Sequence, residues 1–196
     1  MKRKSISIFI LLLFLGTSIK AGLDDRKGFV YGAGLDLAPY AKFSTIFAEV
    51  ELEKKTTAFG FQIFAGYAWN KSNMLVLELH GTSFKEKYEL NEPYKIVKFD
   101  RTVFQDYFGP MWYHYFGVPG KAFFTALGAG TAMSENPLKD FNPDGFGVLV
   151  GAGVEFIAHW QAGIYFFKGR SPGTTNPDTE EYDLSYISLC ITRFEY

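Results

Sequence analysis

The chain has 196 residues and a formal net charge of −1; 47% of its residues are hydrophobic, 18% aromatic and 21% charged. This length fits one domain, and the near-zero charge argues against a nucleic-acid-binding protein, which normally has a basic excess. The 20 glycines and the many aromatic residues favour strands, tight turns and interfaces over a helical bundle. The single cysteine excludes an internal disulfide and a thiolate metal cluster.

The first segment has the pattern of a secretory signal peptide. Basic residues at 2–4 precede an apolar run over 5–15, and small residues follow it. The run is too short for a membrane-spanning helix, which needs about 20 residues. We expect cleavage after Ala21, with Ser18 as the competing site and an uncleaved anchor as the other alternative. The predicted domains are therefore a signal peptide over 1–21 and a mature domain over 22–196.

Beyond this segment, alternation with a period of two residues predicts eight strands. They cover 28–37, 57–69, 74–84, 102–116, 121–132, 145–158, 160–168 and 183–196. Short connections alternate with four long, charged loops at 38–56, 85–101, 133–144 and 169–182. Residues 42–55 are too apolar for a plain loop, and we expect them either to extend the first two strands or to form a short helix.

Two strands, 57–69 and 146–158, show which side chains share a face. One face has large apolar residues, and we expect it to face lipid: Phe59, Phe61, Ile63, Tyr67, Trp69, Val148, Val150, Val154 and Phe156. The other face is mostly small, and a glycine-rich wall toward water would be unusual. A small inner wall instead leaves room for a few polar side chains in the interior: Gln62, Glu78, His80, Glu155 and Gln161.

This pattern is typical of an outer-membrane barrel, which is apolar outside, small or polar inside, and has short turns at one end and long loops at the other. The predicted fold is all-β, a closed eight-stranded antiparallel up-and-down transmembrane barrel whose interior is filled, so that no open pore is expected. Aromatic residues beside the short turns are expected to form an interfacial girdle: Trp69, Trp112, Tyr113, Tyr115 and Trp160. The last strand is apolar on both faces, so the pattern leaves its register open.

The mature chain resembles the small outer-membrane barrel family of OmpA-type eight-stranded proteins, and its OmpX/Ail-type members most of all. The similar segments are 105–130, which contains an aromatic-Gly-Pro strand, 144–167, which contains a Gly-x-Gly strand before a short turn, and the closing strand that ends in Tyr196. The resemblance implies a fold, an outer-membrane location and a terminal aromatic that meets the barrel assembly machinery. It also implies roles in adhesion, serum resistance or membrane integrity, but no reaction.

Glu78, His80 and Thr82 share one face of the third strand and are the best candidates for catalysis. A carboxylate and an imidazole can act as orienter and general base, and outer-membrane enzymes that edit lipid A combine a histidine with a hydroxyl and an acid. Their His-x-Ser motif lies on late strands and faces lipid, whereas this set is early and faces inward. An internal polar network is therefore the favoured interpretation.

No cofactor and no metal are expected. The three Gly-Ala-Gly segments lack the third glycine of a dinucleotide site, and three scattered histidines do not form a metal site.

The sequence therefore predicts a monomeric protein of a Gram-negative outer membrane, with extracellular loops, periplasmic turns and a structural or surface-interaction role. Its predicted partners are outer-membrane lipids and lipopolysaccharide. A lipid A-modifying enzyme that uses Glu78, His80 and Thr82 is the first alternative. A soluble periplasmic lipocalin-like binder is the second, and it requires Phe59 and its neighbours Phe61 and Ile63 to face inward.

Overall fold

The computed structural model describes residues 26–47, 50–92, 95–134, 145–172 and 181–196, so the predicted signal peptide and its cleavage site lie outside the described residues. Within these ranges the chain forms eight antiparallel strands, each paired with the next, and the last pairs with the first. The predicted closed up-and-down barrel is confirmed. In the described part of the chain, no helix has the length and apolar character needed to cross a membrane.

The strands differ in length between the two halves of the chain. They are β1 (Gly28–Phe47), β2 (Val50–Asn70), β3 (Asn73–Glu92), β4 (Lys95–Val118), β5 (Lys121–Met133), β6 (Phe146–Ile157), β7 (Trp160–Pro172) and β8 (Glu181–Glu195). Turns at 71–72, 119–120 and 158–159 lie at one end, which we call the short-turn end. The first four strands have 20 to 24 residues, so the β1–β2 and β3–β4 hairpins project from the opposite end.

The prediction of long loops at 38–56 and 85–101 is wrong. β1 and β2 remain paired as far as Phe47 and Val50, and β3 and β4 as far as Glu92 and Lys95. Of the two alternatives for residues 42–55, the strand extension is the one that forms over the described residues, 42–47 and 50–55. β7 extends to Pro172 and β8 begins at Glu181, so the strands take up both ends of the loop predicted at 169–182.

The register of the β3–β4 hairpin explains why a charged segment is extended. Acidic and basic residues occupy opposite positions along its length: Glu86 and Arg101, Lys87 and Asp100, Glu89 and Lys98, and Glu92 and Lys95. Opposite-charge residues at facing positions favour antiparallel pairing by roughly 0.2–1 kcal/mol per pair. The part of a hairpin that extends past the barrel has no apolar face to bury. A search for alternating apolar residues therefore does not detect its strands.

The register of β8, which the sequence left open, is set by both neighbouring strands. Leu189 pairs with Ile164 of β7, and Ile191 pairs with Leu35 of β1; all four side chains are exposed. The alternate positions of β8 are buried, and Phe194 is fully buried. β8 therefore completes both the outer apolar surface and the core.

The core fills the inside of the barrel with large side chains. The largest fully buried ones are Arg26, Tyr107, Tyr113, Tyr115, Tyr165, Tyr186, Phe43, Phe64, Phe124, Phe167, Phe194 and Met74. Glycines of the wall make this possible. A Cβ at Gly151 would lie 2.4 Å from Cδ1 of Tyr165, so this glycine leaves space for an aromatic ring. The small inner wall thus accommodates aromatic as well as polar side chains.

Candidate functional site

A belt of exposed apolar side chains surrounds the barrel wall. Phe59 is 71% exposed and Val150 38%, and exposed residues on the same two strands include Ile63, Tyr67, Trp69, Val148, Val154 and Phe156. Phe61 is only partly exposed. The other strands add further exposed residues to the belt: Phe29, Leu35, Leu75, Leu77, Trp112, Phe123, Leu127, Ile164, Phe166, Leu189 and Ile191. Water-soluble monomers rarely expose such contiguous apolar area, so this surface requires apolar surroundings.

The outward direction of these side chains contradicts the lipocalin-like alternative. That hypothesis needed Phe59, Phe61 and Ile63 inside a soluble barrel. The structure places Phe59 and Ile63 on the outer wall, whereas Gln62 and Phe64, at the alternate positions of the strand, are buried inside.

The predicted aromatic girdle is wrong at two positions. Trp69 and Trp112 are exposed and Trp160 is partly exposed, but Tyr113 and Tyr115 are buried in the barrel. Residues 112–116 are all aromatic or histidine, so hydrophobicity alone does not show which of them face outward. Alternation along β4 then places the odd-numbered residues inside.

The polar residues predicted for the interior all lie there. Gln62, Glu78, His80, Glu155 and Gln161 are each at most 1% exposed. They fall into two groups. We call the first the central cluster, and it contains Asp36, Gln62, Glu78, His80, Tyr113 and Ser188. We call the second the basal cluster, and it contains Arg26, Tyr115, Glu155 and Gln161.

Glu78 is the main acceptor of the central cluster. Gln62 Nε2 donates to Glu78 Oε1 at 2.8 Å, and Tyr113 OH donates to Glu78 Oε2 at 2.6 Å. His80 Nδ1 lies 3.0 Å from Glu78 Oε1. These bonds join β2, β3 and β4 through the interior, so the carboxylate has partners on both of its oxygens.

The other ring nitrogen of His80 reaches across the barrel. Its Nε2 lies 3.2 Å from Asp36 Oδ1 on β1 and 3.3 Å from Ser188 Oγ on β8. His80 therefore bridges two carboxylates, and it links β3 to the two strands that close the barrel. Burying a charged group is costly unless it is paired and hydrogen-bonded. The contacts with His80 offset part of this cost for the two carboxylates, although the Asp36 oxygens have no hydrogen-bond partner among the described residues.

Ser188, His80 and Glu78 have the order of a nucleophile, a base and an orienting acid. Thr82, the hydroxyl predicted for this role, has no hydrogen-bond partner for its Oγ1 among the described residues. A catalytic group has to touch its substrate, yet Ser188, His80 and Glu78 have no exposed surface. The geometry thus favours a structural network, and it gives a bulky lipid substrate no access to these groups.

The basal cluster closes the short-turn end. Arg26 Nε donates to Glu155 Oε2 at 3.0 Å, and the guanidinium also donates to the backbone oxygen of Lys71. The guanidinium carbon lies 3.9 Å from the centroid of the Tyr115 ring. Tyr115 OH in turn donates to Gln161 Oε1 at 2.9 Å. Arg26 therefore fills this end of the barrel from a position just before β1.

Sequence reasoning missed several buried polar residues, among them Arg26, Asp36, Asp106 and Ser188. Asp36 has a usable signal, because it shares the face of β1 that carries the small residues. Ser188 has none, because the pattern leaves the register of its strand open. Asp106 interrupts an aromatic stretch of β4, and its carboxylate oxygens have no hydrogen-bond partner among the described residues. Its Oδ1 lies 1.6 Å from where a Cβ at Gly81 would be, so a side chain at position 81 would displace the Asp106 carboxylate.

The remaining histidines and the cysteine have local partners. His114 Nδ1 lies 2.8 Å from Asn73 Oδ1, and His159 Nδ1 lies 3.1 Å from the backbone oxygen of Phe194. Cys190 is buried beside Thr192, with 3.1 Å between Sγ and Oγ1. No group of three or more potential metal ligands occurs within the ranges that the structure describes.

An ion-pair triad lies on the β1–β2 hairpin, beyond the apolar belt. Glu53 accepts from Lys42 Nζ at 2.5 Å and from Lys55 Nζ at 2.8 Å. The hydrogen bonds from these two ammonium groups lower the pKa of Glu53 from 4.5 to about 2. All three side chains are partly or largely exposed, so the triad contributes little to stability in salt.

No protein-family model and no curated protein matches the chain. Similar solved structures include the attachment invasion locus protein Ail of Yersinia pestis, in complex with the heparin analogue sucrose octasulfate, at 12% identity and a TM-score of 0.40, over 83% of this chain and 98% of that one. Neisserial surface protein A is similar at 14% identity and a TM-score of 0.46, over 85% of this chain and 96% of that one. The outer membrane protein OprG of Pseudomonas aeruginosa is similar at 9% identity and a TM-score of 0.47, over 87% of this chain and 97% of that one.

Proposed function

We propose that this chain is an outer-membrane protein with a structural or surface-interaction role and no open pore. The observation that carries the proposal is the exposed apolar belt around a closed barrel. In lipid, every backbone polar group must be satisfied within the protein, and a closed barrel achieves this because it has no free edge. Filled interiors are expected of eight-stranded barrels.

The two ends of the barrel suit different sides of the membrane. Outer-membrane barrels have short turns toward the periplasm and longer connections toward the outside. The short-turn end, with Arg26 and Glu155, is therefore assigned to the periplasm. The β1–β2 and β3–β4 hairpins are assigned to the cell surface, where they present paired strands rather than plain loops.

The proposed partners follow from this placement. The apolar belt contacts the acyl chains of outer-membrane lipids, and the charged hairpins reach the lipopolysaccharide headgroups. The closing strand, which ends near Tyr196, is the segment proposed to meet the barrel assembly machinery. Exposed large apolar side chains occur on all eight strands, so every strand can face lipid in the monomer that we propose.

Orientation is tested by an epitope inserted between Glu92 and Lys95. We expect an antibody to label intact cells that carry this insertion, whereas an epitope between Lys71 and Ser72 is labelled only after the outer membrane is permeabilised. The reverse labelling would overturn the assignment of the hairpins to the surface.

The role is tested with a deletion strain that is complemented by two forms of the protein. In the shortened form an Asn-Gly turn replaces 87–100, so that Glu86 and Arg101 keep their existing register. If the barrel supports membrane integrity, both forms restore resistance to detergent. If the hairpin carries surface interaction, only the full form restores binding of cells to a surface. A deletion strain that matches the wild type in both assays contradicts the proposal.

A further inference from the structure

A groove crosses the outer wall near the short-turn end, over β8, β1 and β2. Its volume is about 230 Å³. Ala33 and Ala65 form its floor, because these two small residues interrupt the belt of large side chains on neighbouring strands. Tyr31 pairs with Ala65, and Ile63 pairs with Ala33, so an aromatic and an aliphatic side chain form its walls.

The third side of the groove carries one cation and one anion. Arg193 pairs in register with Ala33, and Glu195 with Tyr31, so both face outward beside the groove. Arg193 Nη2 lies 2.9 Å from Glu195 Oε1, and both side chains are partly exposed. His159 Nδ1 lies 3.3 Å from the other oxygen of Glu195. The groove thus combines an apolar floor, Ala33 and Ala65, with a charged rim in which Arg193 and Glu195 lie side by side.

The position of this rim matches that of a lipid headgroup. Arg193 and Glu195 are close to the end of β8, on the side that the proposed function assigns to the periplasm. The exposed apolar residues Leu35 and Ile191 continue from the groove toward the middle of the belt. A lipid of the periplasmic leaflet therefore has its headgroup level with the charged pair and its acyl chains level with the belt.

We propose that the groove holds one phospholipid with a zwitterionic amine headgroup, of the phosphatidylethanolamine class. An acyl chain covers Ala33 and Ala65, the lipid phosphate accepts from Arg193, and the lipid ammonium donates to Glu195. An anionic lipid such as phosphatidylglycerol supplies a phosphate but no cation, so it brings a second negative charge beside Glu195 with no cation to offset it. Charge complementarity thus selects the zwitterionic lipid. The proposal rests on the outer-membrane placement argued above.

The test uses the purified full-length mature protein in mild detergent, with equal amounts of phosphatidylethanolamine and phosphatidylglycerol of identical acyl chains. Native mass spectrometry counts the lipids that stay bound. We expect one retained phosphatidylethanolamine, preferred about tenfold or more, as one charge-assisted hydrogen bond allows. Ala33→Leu combined with Ala65→Leu fills the groove and abolishes retention. Glu195→Gln abolishes the preference between the two lipids, and Arg193→Gln weakens the binding of both.

Ala152→Leu is the matched control, because Ala152 is an exposed alanine of β6 outside the groove. It is expected to retain lipid as the wild type does. Equal binding of both lipids to the wild type, or full retention by the filled-groove variant, overturns the inference. Each preparation is also checked for heat-modified mobility on gels. A protein that is not heat-modifiable overturns the membrane placement as well, whereas a heat-modifiable barrel without lipid preference overturns only the groove.

Discussion

Arg26 and Glu155 form a buried ion pair between the segment before β1 and the end of β6. The two residues are 129 positions apart in sequence, and the closure of the barrel brings them together. Because the guanidinium also contacts the Lys71 backbone and the Tyr115 ring, it joins the first turn, the fourth strand and the sixth strand. Removal of this one side chain should therefore loosen the short-turn end of the barrel.

We predict that Arg26→Met destabilises the barrel by roughly 3–5 kcal/mol, because it leaves the Glu155 carboxylate buried without a cation. Urea unfolding in detergent micelles, followed by tryptophan fluorescence, measures the change. Lys27→Met is the control, since Lys27 is exposed and such substitutions usually stay within about 0.5 kcal/mol. The double variant with Glu155→Met should recover most of the loss. Equal effects of the Arg26 and Lys27 substitutions would contradict the role given to the pair.

His80→Ala should separate a structural from a catalytic role of the central cluster. The substitution leaves Glu78 and Asp36 without their shared partner, and we expect a loss of roughly 3–5 kcal/mol in unfolding free energy. His114→Ala, at a partly exposed histidine, should cost much less. The lipid A profile of cells that carry the variant should match the wild type. A folded His80 variant with an altered lipid A profile would revive the enzyme hypothesis.

The apolar belt predicts that charges are tolerated only beyond its edges. Val150 lies at the middle of β6 with its side chain outside, so Val150→Arg should destabilise the inserted barrel by roughly 2–4 kcal/mol. Thr102→Arg places the same charge at an exposed position of β4 where the hairpin begins to leave the belt, and it should have little effect. Folding titrations into lipid vesicles measure both. Similar costs at the two positions would argue against a membrane around β6.

The triad on the β1–β2 hairpin has a defined pH dependence. Because the pKa of Glu53 is lowered to about 2, its stabilising contribution is complete above the ordinary value of 4.5 and is lost as the pH falls through about 2. A carbon-13 NMR titration of the Glu53 carboxyl should therefore give a midpoint near 2 at low salt. Lys42→Ala should move this midpoint upward, while Lys54→Ala should not. A wild-type midpoint at the ordinary value would show that the triad does not form in solution.

The barrel architecture could be predicted from the sequence because period-two alternation is strong where one face meets lipid and the other meets a crowded interior. The strands 57–69 and 146–158 show this best, and their alternation assigned Gln62, Phe59 and Val150 to the faces on which the structure places them. The alternation fails where both faces have the same character. The pattern therefore predicts Tyr113 and Tyr115 in the girdle, and it predicts loops where charged strands extend beyond the belt.

The interior network could be predicted only in part. The polar residues on clear strands were identifiable, because a carboxylate such as Glu78 is conspicuous on an inward face. Their partners were not, since the distance between His80 and Ser188 depends on strand stagger around the closed barrel, which no local pattern reports. Arg26 precedes the first strand and has no periodic context, so only the three-dimensional structure shows that it enters the barrel.

Carbonate extraction combined with gel mobility shows whether the barrel is embedded in a membrane. We expect the protein to stay in the membrane pellet and the unboiled sample to run ahead of the boiled one, because the closed barrel stays folded in detergent until it is heated. Release into the supernatant, with identical mobility before and after boiling, would contradict a membrane-embedded barrel whose apolar belt faces lipid.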